Sequence, residues 1–132
     1  VMLALLIIMP ACAMTGCSGS KEPVNKTSVD YTVVENADLP EELKKLIESK
    51  KDKVMRLTYT TKDYTYVVAG YGTRETSGYS IKVNNVYTGD NALYIDLNLI
   101  GPAAGEAVNE VETYPVIVLK MERREESVVF KM

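Results

Sequence analysis

The chain has 132 residues, 46% of them hydrophobic and 25% charged, with a formal net charge of −3, two Cys, no His and no Trp. That length suits one domain, and the missing imidazole removes Ser-His-Asp, Cys-His and His-zinc chemistry. A mildly acidic chain (pI ≈ 5.0) offers no basic face for a phosphate backbone, so nucleic acid is not an expected partner.

Both cysteines, Cys12 and Cys17, lie ahead of the body of the chain, which rules out a disulfide framework. Val1 to Met14 is an uncharged apolar run broken by Pro10, shorter than a membrane span needs. It leads into Met14-Thr15-Gly16-Cys17, where small residues precede a cysteine, a pattern similar to a bacterial lipobox. That likeness implies a lipoprotein signal peptide over residues 1–16, its basic n-region missing, and lipidation at Cys17. The expected location is then extracytoplasmic, on the cell membrane through acyl chains such as palmitate. Residues 17–29 read as a polar linker and 30–132 as the folded domain.

From Val29 onward the polarity pattern becomes that of folded structure. Tyr31 and Val33 alternate with polar neighbours as a short strand does. Asp38-Leu39-Pro40-Glu41 has the chemistry of a helix start, with Asp38 as cap, and predicts a helix from about Leu39 to Lys50. Leu39, Leu43, Leu46 and Ile47 give it one apolar stripe, and Glu41, Lys44, Lys45 and Glu48 a wet one. After Lys53 the period falls to two. Val54–Tyr59 and Tyr64–Ala69 read as a hairpin, followed by a loop from Gly70 to Gly78 and a strand containing Tyr79, Ile81 and Val83. Thr88-Gly89-Asp90-Asn91 forms a turn into Leu93, Ile95, Leu97 and Leu99 on one strand face. Gly101 to Gly105 ends that strand, and strands at Thr113–Met121 and Ser127–Lys131 flank the charged turn Glu122–Glu126. Short strands at this spacing with one early helix indicate a mainly β fold, an antiparallel β-sandwich or open barrel with one N-terminal α-helix.

Few residues are placed for chemistry. Glu110 and Glu112 could share a strand face, but no further acidic cluster completes a metal shell, and they read as a solvated edge. Ser77 and Ser80 lie near Lys82, which alternates outward and so lacks the burial a Ser-Lys pair requires. Arg123 to Glu126 reads as a solvated hairpin tip. The distinctive stretch is Gly70-Tyr71-Gly72-Thr73-Arg74-Glu75-Thr76-Ser77-Gly78-Tyr79. Its glycines suit turns with positive φ, while Tyr and Arg suit a binding loop, because they supply stiff amphipathic contact area and polar anchoring. Nine Tyr against one Phe extend that reading.

Gly70, Gly72, Thr76, Gly78, Tyr79 and Ile81, then Pro102 and Gly105, then Thr113, Tyr114, Pro115 and Val116 together resemble the C-terminal domain of the PrcB family, over about residues 50 to 132. Where that family often has two glycines before the tyrosine, this chain has Ser77-Gly78. The resemblance implies a non-catalytic accessory lipoprotein that associates with and stabilises a surface protease complex, with no catalytic residue to carry over. On this reading the protein is not an enzyme, needs no cofactor or metal, and binds a protein partner, a secreted or surface protease. The binding residues would be Gly72, Arg74, Thr76, Gly78, Tyr79, Tyr114 and Pro115. Thr76-x-Gly78-Tyr79 is also similar to the wedge loop of chagasin-type cysteine-protease inhibitors, whose later Arg-Pro-Trp has no counterpart here. A small-ligand or cell-wall-binding module, with several tyrosines lining one pocket, is the alternative from another class.

Overall fold

The computed structural model describes residues 26–132. The signal-peptide reading, Cys17 and most of the proposed linker lie outside the described residues. The elements are β1 (Thr27–Ser28), β2 (Thr32–Val33), α1 (Glu41–Lys50), β3 (Val54–Thr60), β4 (Tyr64–Tyr71), β5 (Ser80–Gly89), β6 (Ala92–Ile100), β7 (Val116–Glu122) and β8 (Ser127–Lys131). They form two four-stranded sheets, ordered β1-β5-β6-β8 and β2-β7-β4-β3. The two sheets are separate, neither closes on itself, and they pack face to face, which is the sandwich form of the expected fold.

The helix adds a third layer. Val67 and Ala69 of β4 and Leu119 and Met121 of β7 pack against Val86, Leu93, Ile95 and Leu97 of the first sheet. The opposite face of the second sheet presents Tyr66, Val68 and Val118 to Leu39, Leu43 and Ile47 at the helix. β4 is therefore covered on both faces, and Thr65 to Gly70 are all buried, which is why its sequence is a continuous apolar run rather than an alternating one. β6 has one covered face and keeps the alternation, with Leu93, Ile95 and Leu97 buried between less buried neighbours.

Several local expectations need correction. The helix begins at Glu41, with Pro40 as the capping residue and no side-chain cap bond. Leu39 is held extended (ψ 152) in front of the proline, as a residue before Pro must be, so the Pro40 carbonyl accepts the first helical bond, from Lys44 N at 3.0 Å. Asp38 instead ends a 3-10 turn over Asn36–Asp38. Thr27–Ser28, inside the segment read as linker, pairs with Tyr87 and Thr88 of β5. β5 starts one residue after Tyr79 and runs to Gly89, with an irregularity between Val83 and Asn85. At its end Asp90 and Asn91 both take positive φ (48 and 70), as a tight two-residue hairpin turn requires.

The largest correction concerns the C-terminal end. Arg123–Glu126 is not a hairpin tip, because β7 and β8 lie in different sheets and β8 pairs with β6 in parallel. The segment is a crossing between layers. Arg124 N donates to Thr65 Oγ1 at 3.0 Å, and the Arg124 guanidinium grips Glu126 in a two-point pair at 2.7 and 3.1 Å. That pairing holds the Glu126 carboxyl below its ordinary value. A two-residue alternation specifies which side of a strand is apolar; it carries no information on which of two sheets the strand joins.

Candidate functional site

The residues singled out from sequence converge at one end of the sandwich. β4 ends at Tyr71 and the chain enters the loop 72–79, while the segment 101–115 returns beside it before β7. The two are joined by a short ladder: Arg74 N to Thr113 O at 2.8 Å, Thr113 N to Arg74 O at 2.9 Å, Ser77 N to Asn109 O at 3.0 Å and Tyr71 N to Pro115 O at 3.0 Å. Side chains extend it, with Asn109 N donating to Ser77 Oγ at 2.8 Å and Thr113 Oγ1 to the Thr76 carbonyl at 2.7 Å. The strand expected from Thr113 thus begins at Val116, and Thr113 belongs to this ladder instead.

The glycines serve this arrangement. Gly72 has φ +78 and lies where a Cβ would meet the Lys53 and Val54 backbone at 3.4 Å. Gly78 has φ +97, and a Cβ there would come within 3.0 Å of Pro102 Cβ and 3.1 Å of Val108. Both conformations are natural to glycine and strained for other residues. Tyr79 lays its ring across Gly101, where a Cβ would sit 3.2 Å from Tyr79 Cε1, and the Arg74 guanidinium covers the same ring at 5.6 Å. Arg74 Nη2 also donates to the Tyr71 carbonyl at 3.2 Å. Arg74 and Tyr79, selected from sequence as binding-loop residues, are half-buried pieces of the frame.

Tyr114 and Pro115 stand at the outer corner of this frame. The Tyr114 hydroxyl donates to Glu112 at 3.2 Å, and Lys51, just past the helix, sits 4.6 Å from its ring centroid. The Glu112 bond raises the Tyr114 hydroxyl above its usual value, and Glu48 does the same for the Lys51 ammonium. Thr73 N and Oγ1 both reach the Asp52 carbonyl, at 3.2 and 3.1 Å, which ties the loop to the start of β3. Sequence reading missed Lys51, Asp52, Asn109 and Val111; nothing in a linear pattern reports that distant loops meet. Val111 is 53% exposed beside this corner.

Buried without a hydrogen-bond partner are Tyr71 Oη and Arg74 Nε, and burial raises the Tyr71 hydroxyl above its ordinary value. Among the described residues no group of three His, Cys, Asp or Glu is placed to hold a metal, and no helix is long and apolar enough to cross a membrane. The cleft between Tyr79, Ile81, Pro115 and Ile117 measures only ≈ 150 Å³, below the size of a drug-like ligand site. A larger groove of ≈ 520 Å³ lies at the opposite end of β4, between Tyr31, Val33, Tyr64 and Lys120, and contains none of the residues selected from sequence.

A scan against family models matches residues 65–122 to the family described as PrcB C-terminal. The matched stretch runs from the start of β4 to the end of β7, and includes both loops of the ladder. The resemblance read from short motifs is therefore shown, on the span that builds the centre of both sheets and the loop frame. No curated protein and no solved structure gives a significant match.

Proposed function

We propose that the protein is a non-catalytic, lipid-anchored domain outside the cytoplasm that binds a protein partner, as an accessory or stabilising subunit of a surface protease complex. The observation that carries this reading is the match of residues 65–122 to the PrcB C-terminal family, whose name points to a protease complex. The geometry supports a binding role because the ladder between the two loops holds Tyr114, Pro115 and Val111 on a stiff corner, so little loop entropy is lost on docking. A half-exposed tyrosine with a lysine over its face is the kind of amphipathic anchor that interfaces favour. In this reading Gly72, Arg74, Thr76, Gly78 and Tyr79 act by shaping the frame, and Tyr114 with Pro115 by touching the partner.

The ligand-module alternative calls for tyrosines gathered around one cavity. They are instead spread: Tyr59 and Tyr66 meet edge to face on the helix side, at 6.3 Å. Tyr87 and Tyr94 stack at 5.0 Å on the first sheet, and the ≈ 520 Å³ groove holds two others, Tyr31 and Tyr64.

Affinity capture from the native envelope with the full chain, followed by mass spectrometry, tests the reading. A secreted or surface protease is expected among the enriched proteins, lost with Tyr114→Ala while the melting temperature stays put. Cys17→Ser should move the protein out of the membrane fraction. Absence of any enriched protease sinks the accessory reading. Lowered turnover of a captured protease would favour the chagasin-like alternative over stabilisation.

A further inference from the structure

The second sheet ends in a strand edge that nothing among the described residues pairs with. β3 is the last strand in the order β2-β7-β4-β3, and its seven residues make it the longest terminal strand of either sheet; β1 and β2 have two residues each and β8 five. Which of its backbone groups point outward follows from the hairpin. Thr61 N donates to Tyr64 O at 2.8 Å, so 61 and 64 form a bonded pair, and antiparallel pairing then alternates. In the observed register, Tyr59, Leu57 and Met55 bond to Tyr66, Val68 and Gly70. Tyr71 N turns the other way, to Pro115 O, which fixes the same alternation independently. The N–H and C=O groups of Val54, Arg56, Thr58 and Thr60 are thus the outward set.

An edge this long is ordinarily blunted by proline, a bulge, several charges or a covering element. β3 has one charge, Arg56, and no proline. Beside it runs a groove of ≈ 550 Å³ lined by Ser49, Lys50, Asp52, Lys53 and Val54 to Leu57. Three cations against one carboxylate give this groove the opposite sign to the whole chain, whose net charge is −3. Val54 is 57% exposed, and Leu57 and Tyr59 are only partly covered by the helix.

The geometry points to β3 as the docking edge for an extended segment of a partner protein that alternates acidic and apolar side chains. The segment adds as an antiparallel strand. Its carboxylates fall on the Arg56 face and its apolar side chains on the other, beside Leu57 and Tyr59, while Lys50 and Lys53 make the groove at the Val54 end of the edge basic as well. Charge complementarity selects a foreign acidic strand over a second copy of this chain, because two copies would bring the basic groove against a strand whose one charge is also positive. This deepens the binding reading by naming the partner's chemistry, and the edge adjoins the proposed corner through the Thr73 to Asp52 bonds.

The probe is an acetylated, amidated heptapeptide alternating Glu with Val, compared with its Lys-for-Glu counterpart, against the full chain. The acidic peptide is expected to bind at least about tenfold more tightly. On binding, amide exchange at Val54, Arg56, Thr58 and Thr60 should slow by about tenfold or more, while Met55, Leu57 and Tyr59 are slow throughout. Thr58→Pro removes an outward N–H without touching the β4 ladder and should abolish binding. Arg56→Glu keeps the backbone and leaves two cations against two carboxylates in the groove, so it should erase the preference for the acidic peptide, which tests the idea even where the proline variant folds poorly. Equal binding of both peptides to the unaltered chain, binding of neither, binding without slowed exchange, slow exchange at the four amides in the chain alone, or an unchanged preference in Arg56→Glu would each overturn it. Because the peptide is synthetic, these outcomes are separate from whether a protease is captured from the envelope.

Discussion

At the scale of single residues, the frame at the loop end makes sharp demands. Gly78 combines φ +97 with 3.0–3.1 Å clearances to Pro102, Glu106 and Val108, so a methyl group there is both strained and crowded. Gly78→Ala should cost about 1–2 kcal/mol from backbone strain alone, read as a lower denaturant midpoint, and an unchanged midpoint would mean that the loop is looser than this geometry. Tyr71 predicts the opposite sign. Its hydroxyl is buried without a partner, and an unsatisfied buried polar group costs about 1–3 kcal/mol. Tyr71→Phe keeps the ring and removes the cost, so it should raise the melting temperature. A fall would show that the hydroxyl has a partner after all. Turn chemistry made Gly72 and Gly78 legible in the sequence, since few other residues tolerate their φ. Tyr79 was legible in part, as a member of the strand that holds Ile81 and Val83; the half-buried place of Arg74 was not, because it depends on the covering segment, residues 101–115, that a linear pattern does not place against the loop.

At the scale of elements, hydrophobic period located almost every strand, because each strand's faces meet different surroundings. It failed at boundaries and at connections. The helix start slipped past Asp38 because the backbone restriction imposed by Pro40 on Leu39 outweighed capping chemistry. The β7 to β8 segment was misread because charged residues in sequence look the same at a hairpin tip and at a layer crossing. That crossing carries its own pH dependence. Glu126 has its carboxyl depressed, first by the Arg124 hydrogen bond. A carboxyl depressed in the folded state adds stability that is present above its ordinary value of 4.5 and is lost as pH falls through the lower folded value. Arg124→Ala should therefore lower the neutral plateau of a stability–pH curve by the small amount that this partly exposed pair contributes and leave the acid end unchanged, so that the acid limb between them is flatter. A wild-type acid limb retained in the variant would show that other carboxyls dominate it.

At the scale of the whole molecule, the second sheet is the shared wall of two cores. Val67, Ala69 and Leu119 face the first sheet while Val68, Tyr66 and Val118 face the helix, from the same two strands. Neither core can open without exposing strands that the other needs, so the described domain should unfold as one cooperative unit although it has three layers. Truncation in either core tests this. Leu43 on the helix and Leu93 on β6 are both fully buried, and Leu→Ala at such sites costs about 2–5 kcal/mol. Each variant is expected to shift a single transition, with far-UV circular dichroism and tyrosine fluorescence moving together. If Leu43→Ala instead produced an early phase in one probe while the β signal stayed at the wild-type midpoint, the helix would be a separable layer. Tyr59 would then be freed along with it, since its hydroxyl donates to Glu42 at 3.1 Å, and the helix-side wall of the β3 groove would be conditional on helix docking. A single transition means that the groove is as persistent as the fold.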